Sequence, residues 1–219
     1  MTIRGQFVSE LSELKGEIMR LGAMVERAFD ETIEAIRKKQ YAKLDDIIDN
    51  DKNINDLELA INDKATLMIA KQQPVASDLR KIIVSLKVSS DLERMGDLSV
   101  DMAKSALRLN DRINLEKFEE ELLSMASKAK IMIKAVLIAY RDSNVLEAQK
   151  IAAMDDDVDS AYGKFIQSIF EVVAVETGIT EQVTQMAFIS RYIERIADYC
   201  TNIAEWIIYE VNGKRFDLN

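Results

Sequence analysis

The chain has 219 residues, 48% of them apolar and 31% charged, with a formal net charge of −9. That acidic balance opposes binding to nucleic acid or to anionic lipid, both of which need surplus Lys and Arg. With no histidine and a single cysteine, a Ser-His-Asp or Cys-His triad, a His-containing zinc site, a Glu-x-x-His di-iron site and an intrachain disulfide are all excluded.

Seven glycines and one proline leave little turn chemistry, so long helices with few connections are the economical fold. No run approaches the roughly 20 apolar residues of a membrane span. The N-terminal stretch MTIRGQFVSELSELKGEI has no signal-peptide core, so the expected location is the cytoplasm.

The first helix is predicted from about Arg4 to Arg37, where Phe7, Leu11, Leu14, Ile18, Leu21 and Val25 keep a three/four rhythm. The second runs from about Tyr41 to Gln72, with Leu44, Ile47, Ile54, Ile61, Leu67 and Met68 on its buried side and a dense set of acids elsewhere. Gln73-Pro74 breaks the pattern, since proline disfavours helix at the residue before it and suits a first turn. The third helix therefore spans about Pro74 to Leu109. Leu79, Ile82, Ile83 and Leu86 give it a second apolar patch, suited either to a partner or the other half, or to simple burial on two sides.

Asn110 to Asn114 reads as a linker. The fourth helix follows from about Leu115 to Tyr140, with Phe118, Leu122, Met125, Ala129, Met132 and Val136 on one side. Asp142-Ser143-Asn144 is a turn, and Asn144 with Glu147 three residues on resembles a helix N-cap. The fifth helix spans about Val145 to Glu176. Thr177-Gly178 reads as a stop and Thr180 as a fresh cap, before a sixth helix from about Glu181 to Val211.

The third and sixth helices repeat each other. Ser89/Ser190, Glu93/Glu194, Arg94/Arg195, Asp97/Asp198 and Ala103/Ala204 are identical at one offset, the mark of an internal repeat. Asp155-x-x-Val158-Asp159 likewise echoes Asp51-x-x-Ile54-Asn55. The predicted fold is all-α, a tandem repeat of two antiparallel three-helix bundles, residues 1–110 and 111–219.

Glu93, Asp97 and Asp101 stand at i, i+4 and i+8, so they stack along one helix face, and Glu194, Asp198 and Asn202 do the same in the second copy. Ile189, Ile193, Ile196, Cys200, Ile207 and Val211 form a stripe nearly opposite the acids at about 100° per residue. Each copy is thus expected to show a core face and an acidic outer face. An all-oxygen row suits Mg²⁺, Mn²⁺, Ca²⁺ or iron rather than classical zinc; the same row also fits a solvated acidic face. Asp155 and Asp159 read in preference as helix-start or interhelical charge pairs. Arg94 and Arg195 could grip a phosphate or carboxylate, but ion pairs within the bundle are the expectation. Cys200 reads as a small core residue and the ten methionines as core filler, while Trp206 suits a bundle edge or an interface. A carboxylate-only metal hydrolase or oxidase ranks last, because no nucleophile or Gly-rich phosphate loop accompanies the acids.

Three stretches together resemble the PhoU family. They are the run Gln72-Gln73-Pro74-Val75-Ala76-Ser77-Asp78-Leu79-Arg80, then Asp91-Leu92-Glu93-Arg94-Met95-Gly96-Asp97, then Ile193-Glu194-Arg195-Ile196-Ala197-Asp198 with Thr201 to Glu205. The resemblance covers nearly the whole chain. It implies a non-enzymatic cytoplasmic regulator of phosphate uptake and phosphate-starvation signalling. It implies metal, iron or another divalent ion such as Mg, Mn or Zn, held at Glu93, Asp97, Asp101, Glu194, Asp198 and Asn202. It also implies docking to the ATPase subunit of the phosphate ABC transporter and to a phosphate sensor histidine kinase, a homodimer, no nucleic acid, and contact with the membrane only through the transporter. The alternative is a helical scaffold or oligomeric interaction protein without metal. Two departures stand out: Asp101 faces Asn202, an extra carboxylate expected to favour the first site, and Gly96 faces Ala197.

Overall fold

A computed structural model describes residues 3–109, 116–173 and 179–218. It contains six long helices: α1 (Ile3–Arg37), α2 (Tyr41–Gln72), α3 (Ala76–Ala106), α4 (Glu116–Asp142), α5 (Val145–Val173) and α6 (Thr180–Asn212). The expected linker at Asn110–Asn114, the division between residues 110 and 111, and the stop at Thr177-Gly178 lie outside the described residues.

The local signals act much as elementary chemistry demands. Gln73 adopts the left-handed conformation and returns its N–H to the Ile69 carbonyl, closing α2, so α3 begins two residues beyond Pro74. Asn144 Oδ1 accepts the N–H groups of Leu146 and Glu147 at 3.1 and 3.2 Å, capping α5. The Glu147 carboxylate turns to Lys150 instead of back to the cap. Thr180 is the first residue of α6 rather than its cap; the cap position is Ile179.

The apolar stripes form one continuous core. All six positions named for α4 are buried, as are Ile189, Ile193, Ile196, Cys200 and Ile207 of α6. Leu67, beside buried Met68, and Val211, in the last turn of α6, are exposed instead. Cys200 is a buried free thiol whose pKa burial pushes up, as expected of a core residue.

α1, α2 and α3 pack on one another, α4, α5 and α6 do the same, and the halves join through α3 against α6 and α1 against α4. Gly22 makes the second contact close: a side chain there would run into Leu137 of α4. α3 and α6 run antiparallel. Arg80 Nε, near the start of α3, donates to the Glu210 carbonyl near the end of α6 at 2.9 Å. Trp206 Nε1 donates to Asp91 Oδ2 at 3.2 Å, which makes it a joint between the halves. The second apolar patch of α3 is used in this join: Ile82 is fully buried, and Ile83 and Leu86 floor a cleft beside α6. Among the described residues no helix is long and apolar enough to cross a membrane.

Candidate metal sites

Each half gathers its acids between its second and third helices. In the first half, Asp51, Asn55 and Glu58 of α2 face Glu93, Asp97 and Asp101 of α3. Glu93 feels Asp97, Glu58 and Asp51, and Asp51 feels Asp97 and Asp101. Burial first, then these like charges, raises the pKa of both Asp51 and Glu93. Asn55 Nδ2 donates to Asp51 Oδ2 at 3.1 Å and orients it. Gly96 lets α2 come close, since a Cβ there would sit 3.2 Å from Ile54 and 3.6 Å from Asp51 Oδ1.

In the second half, Asp155, Asp159 and Asp198 bring one carboxylate oxygen each within 4.8 Å of the others. Thr201 Oγ1 donates to Asp155 Oδ2 at 3.0 Å. Glu194 is paired with Arg191 on one oxygen only. Asp155 and Glu194 are 4% and 7% exposed. Burial, then the neighbouring carboxylates, lifts Glu194 to about 7. Burial also lifts Asp155 to about 6, against the Thr201 hydrogen bond and with further help from Asp198 and Asp159. Asp198 is raised by burial and by Asp159.

These positions correct three expectations. The acids are not simply an outer face opposite the core: both rows border the preceding helix and Glu194 is buried, while Asp97 in the first row stays exposed as expected. Asp155 and Asp159 are not bland charge pairs but members of the tightest acid group among the described residues. The extra carboxylate at Asp101 does not make the first group the tighter one; Asp101 lies 3.5 Å from Lys104 instead. Asn202 lies in the row after Asp198, on the cleft wall with Arg94 and Trp206. A helical wheel gives the right face for these acids but not the position of the neighbouring helix. The Asp51/Asp155 echo in the sequence was the available signal.

Arg94 and Arg195 also depart from expectation. Among the described residues neither pairs with a carboxylate. Both turn to Tyr199: Arg195 Nη2 at 3.4 Å from its phenol, and Arg94 by a hydrogen bond that raises the Arg94 pKa.

Among the described residues six buried side-chain oxygens lack a hydrogen-bond partner, and four belong to these acid groups: Asp51 Oδ1, Asn55 Oδ1, Asp155 Oδ1 and Glu194 Oε2. Buried polar atoms are ordinarily satisfied. Orphaned oxygens among raised acids are what a hard cation would satisfy, so the residues fit one.

The PhoU domain matches residues 18–106 and 122–207, once in each half. The chain belongs to the PhoU family. It is 39% identical over 214 residues to the phosphate-specific transport system accessory protein PhoU homolog of Clostridium acetobutylicum, covering 97% of both chains. It is 34% identical over 221 residues to the Escherichia coli phosphate-specific transport system accessory protein PhoU, covering 98% of this chain and 88% of that one. The crystal structure of the phosphate transport system regulatory protein PhoU from Streptococcus pneumoniae superposes with a TM-score of 0.91 at 31% identity, over 96% of this chain and 99% of that one. The PhoU fold, a tandem pair of three-helix bundles, is thus present across the described length.

Proposed function

We propose that this chain is a cytoplasmic, non-enzymatic regulator of phosphate-specific transport that holds divalent cations in its two acid groups. The transport role is supported by full-length relatives that carry the names of accessory and regulatory proteins. The cation role is carried by one observation: the four orphaned buried oxygens of Asp51, Asn55, Asp155 and Glu194. Glu93, Asp97 and Asp101 bind with Asp51 and Asn55 in the first half. Glu194, Asp198 and Asn202 bind with Asp155 and Asp159 in the second. The all-oxygen donor set favours iron, Mn²⁺ or Mg²⁺ over Zn²⁺. The protein, as a homodimer, docks on the ATPase subunit of a phosphate ABC transporter and on its sensor histidine kinase, and so meets the membrane only through the transporter.

Metal analysis of protein purified without chelator tests the cation role, wild type against Asp97→Ala/Asp198→Ala. Bound metal in the first and its loss in the second is expected; negligible metal in both removes the cation role. Co-purification with the transporter ATPase subunit tests docking separately, and its absence at high and low phosphate alike removes that part.

A further inference from the structure

The α3–α6 join has two sides, and they differ in chemistry. On one side the outer ridge of α3 floors a cleft of ≈ 660 Å³ between α2 and α6, whose lining includes Glu58, Lys87, Asp91, Arg94, Glu205 and Trp206. Its polar groups are partly engaged with one another. Trp206 donates to Asp91, and Lys87 lies 5.8 Å above the Trp206 ring. The C-terminal tail closes over the same indole, with Arg215 4.7 Å from it and the Leu218 N–H bonded to Glu205 at 2.8 Å.

The repeat carries this ridge onto α6 and replaces its polar groups with rings. Phe188 stands where the first half has Lys87, and Tyr192 where it has Asp91; on α5, Tyr162 replaces Glu58 and Phe170 replaces Thr66. Phe188 stacks on Tyr192 at 6.3 Å. Arg191 lies 5.7 Å above the Tyr162 ring, which ties the α5 and α6 rows together. Phe170 and Phe188 are nevertheless 53% and 45% exposed. Arg191 and Arg195, one turn apart, edge the strip; Arg191 is already paired with Glu194, whereas among the described residues Arg195 has no carboxylate partner.

We propose that this aromatic strip on α5 and α6 docks an amphipathic helix of a protein partner, with an apolar stripe flanked by acidic residues. Exposed aromatics beside arginine are the composition of binding hot spots. A strip running along two helices suits the i, i+3/i+4 and i+7 anchors of a docked helix. Arg195, which has no carboxylate of its own among the described residues, complements its acids and sets its orientation. A second copy of this chain is a poorer occupant, because a two-fold contact brings the same arginines from both copies to one interface. The inference goes beyond the proposed function and does not depend on metal.

The test is fluorescence anisotropy with the full chain in EDTA, using a panel of labelled designed helices with Leu and Phe on one stripe and Glu on both flanks. Matched helices with Lys for Glu, and scrambled sequences, serve as controls. Saturable micromolar binding of the acidic helices is expected, about tenfold weaker for both controls. Phe170→Ser/Phe188→Ser and, separately, Arg195→Glu each weaken binding about tenfold, while Leu59→Ser/Leu67→Ser on α2 leaves it unchanged. Circular dichroism checks the fold, and if the phenylalanine variant is unfolded the Arg195→Glu variant decides. Absent binding, equal binding by the Lys or scrambled helices, or indifference to the groove substitutions overturns the proposal. So does sedimentation showing that the groove substitutions dissociate a wild-type dimer, which makes a second copy the occupant.

Discussion

The two acid groups share a scaffold and differ in how they are held. Glu93 and Asp97 match Glu194 and Asp198, yet Asn55 stands where the second half has Asp159, and Val100 where it has Thr201. In the first group Asn55 orients Asp51, Asp97 is exposed, and Glu93 has no ion pair among the described residues. In the second a helix-borne hydroxyl orients Asp155, so Asp159 is left as a third carboxylate, and burial drives the acids up to about 6 and 7. Duplication kept the acid row on the last helix of each half and varied the partners supplied around it. The drier group stores more charge cost when empty and so has more to gain from a cation.

That difference predicts unequal losses. Asp155→Ala/Asp198→Ala removes the tighter of two binding components, with an apparent loss of roughly 100-fold for that component, or ~2.7 kcal/mol. Asp51→Ala/Asp97→Ala removes only the weaker one. Titration with Mn²⁺ followed by calorimetry separates them. Equal affinities in the two double variants would erase the asymmetry.

The pH dependence of the metal-free protein gives the next effect. Glu194 and Asp155 titrate near 7 and 6 in the folded chain, above their ordinary values. Below about pH 4 folded and unfolded chains both keep these protons, so the acids cost nothing. Between about pH 4 and pH 7 the unfolded chain loses them first, and stability falls as pH rises; above that the whole cost is present. The sign is opposite to that of a carboxylate whose pKa an ion pair lowers, because burial outweighs the pairing of Glu194 with Arg191. Chelated protein should melt lower at pH 8 than at pH 5.5, Glu194→Gln should flatten that slope, and Asp51→Asn should flatten it less. A level profile in the wild type contradicts the burial account.

Thr201→Val converts the second group toward the first, whose matching residue is Val100. It removes the donor to Asp155 and leaves a second oxygen of that carboxylate unpartnered. Loss of such an outer partner weakens metal binding about 10-fold, within the usual 10- to 100-fold range. The effect should appear in the tighter component alone. Unchanged affinity means that Thr201 serves packing only.

Much of this was readable from spacing. Glycine and proline scarcity, the three/four rhythm and the repeated Glu-Arg-x-x-Asp fix helix number and boundaries to within a few residues. The PhoU resemblance rested on the Gln72–Arg80 run, present in the first half alone, and on the Glu-Arg-x-x-Asp residues that both halves carry. What spacing cannot carry is the rotation of one helix against its neighbour. A lone-helix wheel sends Glu194 to solvent, but α5 lies against that flank and buries it. Arg94 and Arg195 were expected to find carboxylates; a phenol from Tyr199 lies nearer, which no sequence pattern marks. Val211 follows the apolar rhythm to the last turn of α6 and stays exposed, whereas Leu67 is exposed beside buried Met68 because it lies one residue off the buried stripe of α2.

The finest difference between the halves is Gly96 against Ala197. Gly96→Ala should gain about 1 kcal/mol of helix propensity. Against that, the new methyl lies 3.2 Å from two carbons of Ile54, tighter than ordinary packing, so α2 must shift by a few tenths of an ångström. These terms nearly cancel, and the melting temperature should barely move. The shift does not cancel at the site, because Asp51 lies three residues from Ile54 on the same helix and its Oδ1 is 3.6 Å from the new Cβ. Affinity of the weaker component should change a few-fold while the tighter one stays where it is. If instead Gly96→Ala leaves both components alone, the close approach of α2 to α3 does not tune the first group, and its openness rests on Asn55 and Val100.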